Sequence, residues 1–360
     1  MKKNKPNLID IFAGCGGLTF GFKDAGFKPI MGVDNDAAAL ETFKYNFSDT
    51  ITLNFDLFQK NAIAGIKNKA EKLSPNGIDV IVGGPPCQGF SLTGPRNFDD
   101  PRNRLYLSFI DLVEEIKPRA FLIENVPGVK NLYGGRILRE IEKRFKKMRY
   151  KVSADVLNAA DYGVPQIRKR LFIIGLKDGI GLFDFPAPSH SSDKYICCKD
   201  AIHDLPKREP NQDIGDDRSK YNGQPNTPYQ KRMRGKSKVL WNHVATAHKD
   251  FVIETIAQVP DGGNWRDLPP GVGESRKFNE AWTRYKSTKP SRTIDTGHRN
   301  HFHYEYNRVP TIRENARLQS FPDSFRFIGN KSQQNRQVGN AVPPILGQKL
   351  AEKLKEYISK

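Results

Sequence analysis

Short apolar runs that end in glycine turns and give way to amphipathic stretches are the feature that most limits what this chain can fold into. Leu8-Ile9-Asp10-Ile11-Phe12 reads as a buried strand, and Gly14 to Gly17 as the turn behind it. Ile30-Met31-Gly32-Val33 is a second strand, followed by a helix-like segment from Ala37 to Tyr45. Ile78 to Val82 and Phe121 to Ile123 are further strands, with a helical segment from Tyr106 to Ile116 stopped before Pro118. From Arg136 to Arg149, Ile137, Leu138, Ile141, Phe145 and Met148 share one helical face, a stripe read as core packing. Arg170-Leu171-Phe172-Ile173-Ile174-Gly175 closes the series as another strand. Strands alternating with helices predict an α/β fold, a doubly wound sheet with helices on both faces. Ligands of such sheets bind at the carboxyl ends of the strands.

The pattern changes after about residue 178. From Phe185 to Arg308 the chain is rich in Pro, Gly, Asn, Arg and Lys, and it includes the basic run Lys231, Arg232, Arg234, Lys236 and Lys238. Trp241, Phe251, Ile253, Trp265, Trp282 and Tyr285 supply enough apolar bulk to make this a second, loop-rich domain and not a disordered linker. A helical pattern returns near Thr311 and runs to the end. The net charge of +18 favours a polyanionic partner, since Lys and Arg at phosphates release counterions; a merely basic protein is the plain alternative. Cys15, Cys87, Cys197 and Cys198 are too few and too irregular for a disulfide framework, and none has zinc-site spacing, so no metal is expected. Mean hydropathy is −0.62, and no apolar run approaches the roughly 18 residues of a membrane span. The basic start, Met1 to Asn7, leads into a short strand and not a signal-peptide core, so a cytoplasmic protein is expected.

Three motifs carry chemistry. Asp10 to Gly17 lies between a strand and a helix, where glycines allow a sharp turn and close approach of a ligand. A nicotinamide cofactor would fit a lone glycine turn, but the full GxGxxG spacing for a pyrophosphate is missing. Asp34, just after the second strand, suits ribose hydroxyls, and together these suggest S-adenosylmethionine, a nucleoside without phosphate. Gly83-Gly84-Pro85-Pro86-Cys87-Gln88-Gly89 follows another strand. Most free thiols are buried and inert, but the flanking glycines make this an exposed loop. Glu124-Asn125-Val126-Pro127 ends the next strand, and Gln166-Ile167-Arg168-Lys169-Arg170 precedes the last. Thiol, carboxyl, guanidinium and a nucleoside cofactor together describe Michael addition to a pyrimidine.

In order and over nearly the whole length, these motifs resemble the bacterial-type DNA (cytosine-5) methyltransferases. The set is completed by Arg313-Glu314-Asn315-Ala316-Arg317-Leu318-Gln319-Ser320-Phe321-Pro322-Asp323 and by Gln337-Val338-Gly339-Asn340-Ala341-Val342-Pro343-Pro344. The resemblance implies a Rossmann-like S-adenosylmethionine-dependent catalytic domain over 1–186. A smaller target recognition domain over 187–310 and a hinge with a returning C-terminal segment over 311–360 would follow. It implies Cys87 as the nucleophile at cytosine C6, Glu124 at N3, Arg170 at O2, and Arg168 supporting the thiolate or a phosphate. For the cofactor it implies Phe12, Gly14, Gly16 and Gly17 beneath the methionine moiety and Asp34 on the ribose. Asp56 and Leu57 would meet the adenine, with Pro85 and Leu105 at its edge and Asn340 and Ala341 arriving from the far C-terminus. The target base would flip out of duplex DNA, and the loop Ser91 to Arg104 would close over it. A monomer is expected, in a restriction–modification setting with a cognate endonuclease that forms no stable complex with it. Arg232, Arg234, Arg276, Arg299 and Asn300 are candidates for contacts to DNA. A tRNA-directed enzyme of the same architecture and a catalytically inactive DNA-binding regulator are the rival readings.

Overall fold

The strands of the first half are β1 (Asn7–Ile11), β2 (Lys28–Asp34), β3 (Ile51–Asn54), β4 (Val80–Gly83), β5 (Ala120–Asn125), β6 (Tyr150–Asn158) and β7 (Lys169–Lys177). Leu8, Ile9, Val80, Ile81, Val82, Phe121 and Leu122 have no exposed surface. Strands apolar on both faces belong in the middle of a sheet covered on both sides. The computed structural model, which describes residues 5–59, 61–86, 104–210, 217–274, 278, 280–297 and 300–359, places them there. The sheet has seven strands in the order β3-β2-β1-β4-β5-β7-β6. β1 to β5 are parallel, and β7 runs antiparallel to both β5 and β6.

The helices between the strands are α1 (Gly17–Asp24), α2 (Ala37–Asn46), α3 (Ala62–Leu73), α4 (Arg104–Ile116) and α5 (Arg136–Lys147). Asp36 caps α2 by accepting from the backbone N–H groups of Ala38 and Ala39. On α5, Ile137, Ile141 and Phe145 are buried, and the Phe145 ring stacks on Phe121 of β5 with centroids 3.9 Å apart. That is the stripe expected to be core. Each such buried side chain contributes about 1.5–3 kcal/mol. β1 sits between β2 and β4, so the strand order reverses there, and sheets of this kind bind their ligands outside the carboxyl ends of the strands at such a point.

The chain divides into two compact units. The first comprises 1–158, 169–188 and 346–360, and the second 159–168 and 189–345. Residues 159–168 and 311–345 both belong to the second unit. Within the second unit, Arg317 pairs with Asp204 and Asp323, and Glu314 with Arg308. The second unit holds α6 (Cys198–Ile202), α7 (Pro228–Arg234), α8 (Asp250–Ala257), α9 (Ile312–Leu318) and α10 (Lys331–Asn340). Its strands are β8 (Thr283–Arg284) and β9 (His301–Phe302), paired parallel. From Leu346 on, α11 (Pro344–Ile358) belongs to the first unit, where the Lys355 ammonium donates to the carbonyl of Ala25 behind α1.

With little regular structure, the second unit relies on a small apolar cluster and on buried ion pairs. Ile256, Val259, Ala281, Trp282, Phe302 and Val309 form the cluster. Arg308 makes a two-pronged pair with Glu314, at 2.7 and 2.8 Å. Arg317 does the same with Asp323, at 2.9 and 2.7 Å, and also reaches Asp204. Arg313 donates to the carbonyls of Trp241, Pro322 and Phe325. Guanidinium groups are suited to such burial because their fork matches carboxylates and their charge persists. Among the described residues, no helix is long and apolar enough to cross a membrane.

Candidate active site

The glycine turn after β1 is built from left-handed backbone. Phe12, Gly14 and Gly16 have φ of 60°, 53° and 93°. A side chain on Gly16 would also run into Phe47, 2.4 Å from its Cβ position, so only glycine fits. Phe12 carries the same torsion without that licence, a strain that marks a shaped loop; its ring packs against the core. Asp34 at the end of β2 holds the turn. One carboxylate oxygen accepts from Gly14 N–H at 2.8 Å and the other from Asp36 N–H at 2.8 Å. Burial pushes its carboxyl above the ordinary range. Beneath the turn, Thr19 donates to the buried carboxyl of Asp10, which burial pushes up to about 7. Gly17 opens α1.

Asp56 and Leu57 lie on the neighbouring loop, tied in by Phe55 N–H donating to Asp34 O at 3.1 Å. Asp56 turns the chain by accepting from Phe58 N–H, and Leu57 is buried in one cluster with Leu105 of α4. Thus Phe12, Gly14, Gly16, Gly17, Asp34, Asp56, Leu57 and Leu105 gather at the carboxyl edge of the sheet. Asn340 and Ala341 belong to the second unit, at the end of α10, where Ala341 O accepts from Gln319.

Along the same edge, β4 runs into Gly84, Pro85 and Pro86. Cys87 lies outside the described residues, as do residues 91–103 of the Ser91–Arg104 loop expected to close over a base. Of the other three thiols, burial pushes Cys15 up to about 12 and raises Cys197 and Cys198 as well. Glu124 of β5 and Arg170 of β7 face each other across the antiparallel pair. The Arg170 Nε sits 3.0 Å from Glu124 Oε1, with side chains 17% and 12% exposed. The other oxygen of Glu124 lies over Gly84, 3.0 Å from where a Cβ would be. The carboxylate is therefore seated directly above the backbone that enters the Pro-Pro-Cys turn.

Arg168 is placed differently from its neighbour in sequence. It is 1% exposed, in the second unit, and its Nη2 donates to Gly339 O at 2.9 Å, at the carboxyl end of α10. Arg234, expected as a candidate for DNA, donates to Asp204 and Gly223 and stacks on Tyr221, while Arg232 is exposed. Asn300 reaches Asp295 at 3.4 Å, and Arg276 and Arg299 lie outside the described residues. Asn125 is read in sequence only as part of the Glu124-Asn125-Val126-Pro127 motif; its side-chain amide donates to Pro85 O at 3.1 Å. Two prolines in a row lack N–H groups, which is a legible signal that such a donor is needed. Among the described residues, no group of His, Cys, Asp and Glu is arranged to hold a metal ion.

The chain is similar to known proteins. The type II methyltransferase M1.HphI of Haemophilus parahaemolyticus is 39% identical over 96% of this chain and 85% of its own length. The type II methyltransferase M.DdeI of Desulfomicrobium norvegicum is 35% identical over 98% and 89%. A solved DNA modification methyltransferase encoded within an E. coli prophage superposes with a TM-score of 0.83 at 30% identity, covering 99% of this chain and 100% of its own. Spodoptera frugiperda DNMT2, at 17% identity and a TM-score of 0.61 over 99% and 100%, shares the fold. The family described as C-5 cytosine-specific DNA methylase matches residues 7–356. The chain therefore belongs to the C-5 cytosine-specific DNA methylases and is a DNA (cytosine-5) methyltransferase with a Rossmann-like fold.

Proposed function

We propose that this enzyme methylates one cytosine of a specific duplex sequence through a covalent adduct between Cys87 and cytosine C6. The observation that carries this reading is the Glu124–Arg170 pair held over Gly84, three residues before Cys87. Cytosine C5 is a poor nucleophile. Thiolate attack at C6 breaks the aromatic ring and makes C5 enamine-like. Glu124 holds the ring at N3, where proton donation drains the charge that attack pushes in; such general acid assistance contributes about 10²–10⁴-fold as a class. Arg170 binds O2 and aligns Glu124. Loss of the C5 proton after methylation lets the thiolate leave by β-elimination. The target base is flipped out of the duplex to reach these groups.

The residues at the sheet edge suit S-adenosylmethionine: a left-handed turn offering close backbone approach and a carboxylate at the second strand. When bound, it supplies the methyl group as a sulfonium electrophile. Phe12 and Gly14 to Gly17 would line its methionine side, Asp34 its ribose, and Asp56, Leu57, Pro85 and Leu105 its adenine and edge. Arg168 has a structural part, holding the end of α10 that leads into Asn340 and Ala341. We further infer that the second unit reads the DNA sequence. The enzyme acts as a cytosolic monomer and protects DNA from a cognate endonuclease that makes no stable complex with it. Assays on duplex DNA and on tRNA test the substrate. Methylation of DNA alone, with one sequence context by bisulfite sequencing, is expected; activity on tRNA alone would overturn the reading.

A further inference from the structure

The outward face of α5 carries cations that find no carboxylate. Arg136, Arg139, Lys143, Lys146 and Lys147 follow one another at steps of three and four residues, which puts them on one face, opposite the buried Ile137, Ile141 and Phe145. All are exposed, and among the described residues none of them is in an ion pair. Of the acidic side chains of the helix, Glu140 is taken by Arg144 at 3.3 Å, and Glu142 is partly buried off this face. Elsewhere in the fold, exposed helical lysines do find partners: Lys67 of α3 pairs with Glu115, and Lys349 and Lys353 of α11 pair with Glu352 and Glu356. Like charges at these spacings repel and cost helix stability. The start of α5 adds to that cost, since Arg136 opens it, no acidic residue stands in its first turn, and cations there oppose the helix dipole.

The direction of the helix fixes where this face lies. β5 ends beside Glu124, and two single turns of 3-10 helix, Pro127–Lys130 and Leu132–Gly135, lead from there into Arg136. α5 then runs back along the sheet to Lys147, and Tyr150 starts β6 at the opposite edge, across from Lys177. We propose that this face is a sequence-independent docking surface for duplex DNA, holding a stretch of the substrate away from the place where the target base reacts. From Arg136 to Lys146 it extends about 15 Å, at roughly 1.5 Å per residue. A duplex carries one charge per roughly 1.7 Å of its axis, so that length offers more phosphates than these cations can meet. DNA is the polyanion this family acts on. A row of ammonium and guanidinium groups pairs with phosphates and carries no sequence information in doing so. The inference requires neither the covalent adduct nor any particular recognition sequence.

The test combines Arg139→Gln, Lys143→Gln and Lys146→Gln in the full chain; glutamine keeps the helix propensity. Binding to poly(dA)·poly(dT), which has no cytosine and so no target, is measured at several salt concentrations. Each phosphate contact contributes about 0.9 to the slope of log affinity against log salt. The expected result is a slope shallower by about two to three, with affinity at about 100 mM salt at least about tenfold weaker than wild type. A slope within about 0.5 of wild type overturns the proposal. So does an equal loss in a chain carrying Lys28→Gln, Lys44→Gln and Lys72→Gln, exposed positions on β2, α2 and α3, because the effect would then be one of net charge. Weaker binding to phosphatidylserine vesicles with duplex binding unchanged would assign the face to a lipid surface, and overturns it too.

Discussion

Two buried histidines in the second unit should make its stability fall in mild acid. His303 is buried, and its Nδ1 accepts from the backbone N–H groups of Glu305 at 3.0 Å and Tyr306 at 3.1 Å. That nitrogen has no room for a proton. His243 is buried too; its Nε2 meets the Pro206 carbonyl at 2.7 Å and so carries the proton, leaving Nδ1 to accept from Thr311 at 2.9 Å. Burial, aided by Arg308, lowers His243 from 6.5 to about 4 and His303 to about 3, against the pull of Glu314. A histidine whose folded value lies below its unfolded value contributes stability that is complete above the unfolded value. That stability is lost as pH falls through the window between the two values. Near pH 5.5 each imidazole is almost wholly protonated when unfolded and neutral when folded, which removes about 1.4 kcal/mol apiece, or about 3 kcal/mol together. Glu314, held far below the ordinary carboxylate range by Arg308 against the cost of burial, adds its own loss only in stronger acid. Urea unfolding followed by tryptophan fluorescence isolates the effect, because Trp241, Trp265 and Trp282 all lie in the second unit. His303→Asn, whose Oδ1 can take over the acceptor role of Nδ1, should lose about half as much stability between roughly pH 7.5 and pH 5.5 as wild type. Equal losses in the two proteins, or none in wild type, would refute the argument.

Other consequences follow from single contacts. Arg170→Ala should lower kcat by about 10²-fold or more while leaving the melting temperature within a few degrees, because it removes a donor aimed at developing charge; full-rate turnover would contradict its role. Gly84→Ala places a methyl 3.0 Å from a Glu124 oxygen and should push the carboxylate off Arg170, read as a kcat loss of about tenfold with DNA affinity retained. Arg317→Met removes the two-pronged guanidinium from the buried carboxylates of Asp323 and Asp204, leaving Tyr221 on the first and Arg234 on the second, and should cost about 3–5 kcal/mol in urea unfolding; a loss below about 1 kcal/mol would mean the pairs are replaceable.

The parts legible in sequence were those whose physics is local. β1, β2, β4, β5 and β7 announce themselves because buried parallel or central strands must be apolar throughout. β3 and β6 do not: Ile51 to Leu53 and most of β6 are half-buried edge strands, and their mixed residues resemble loop. Glu124 and Arg170 could be placed at one sheet edge because both flank apolar strands, and the structure joins them at 3.0 Å. Arg168, two residues earlier, looked alike but is drawn into the second unit by a carbonyl 171 residues away. Arg234 read as a cation for DNA, yet its partner Asp204 lies 30 residues back and no periodicity reveals it. Charges whose partners are distant look like surface in sequence. Their burial is what holds the second unit together.

The central claim, that methylation passes through a Cys87–cytosine adduct, is tested most directly by mechanism-based trapping. A duplex containing the target site with 5-fluorocytosine is incubated with enzyme and S-adenosylmethionine, and the denatured complex is digested for peptide mapping. Fluorine cannot leave C5 as a proton does, so the account predicts a stable adduct carried by the peptide that contains Cys87. Methylation of the unmodified site without any trapped complex, or an adduct mapped to another residue, would contradict it.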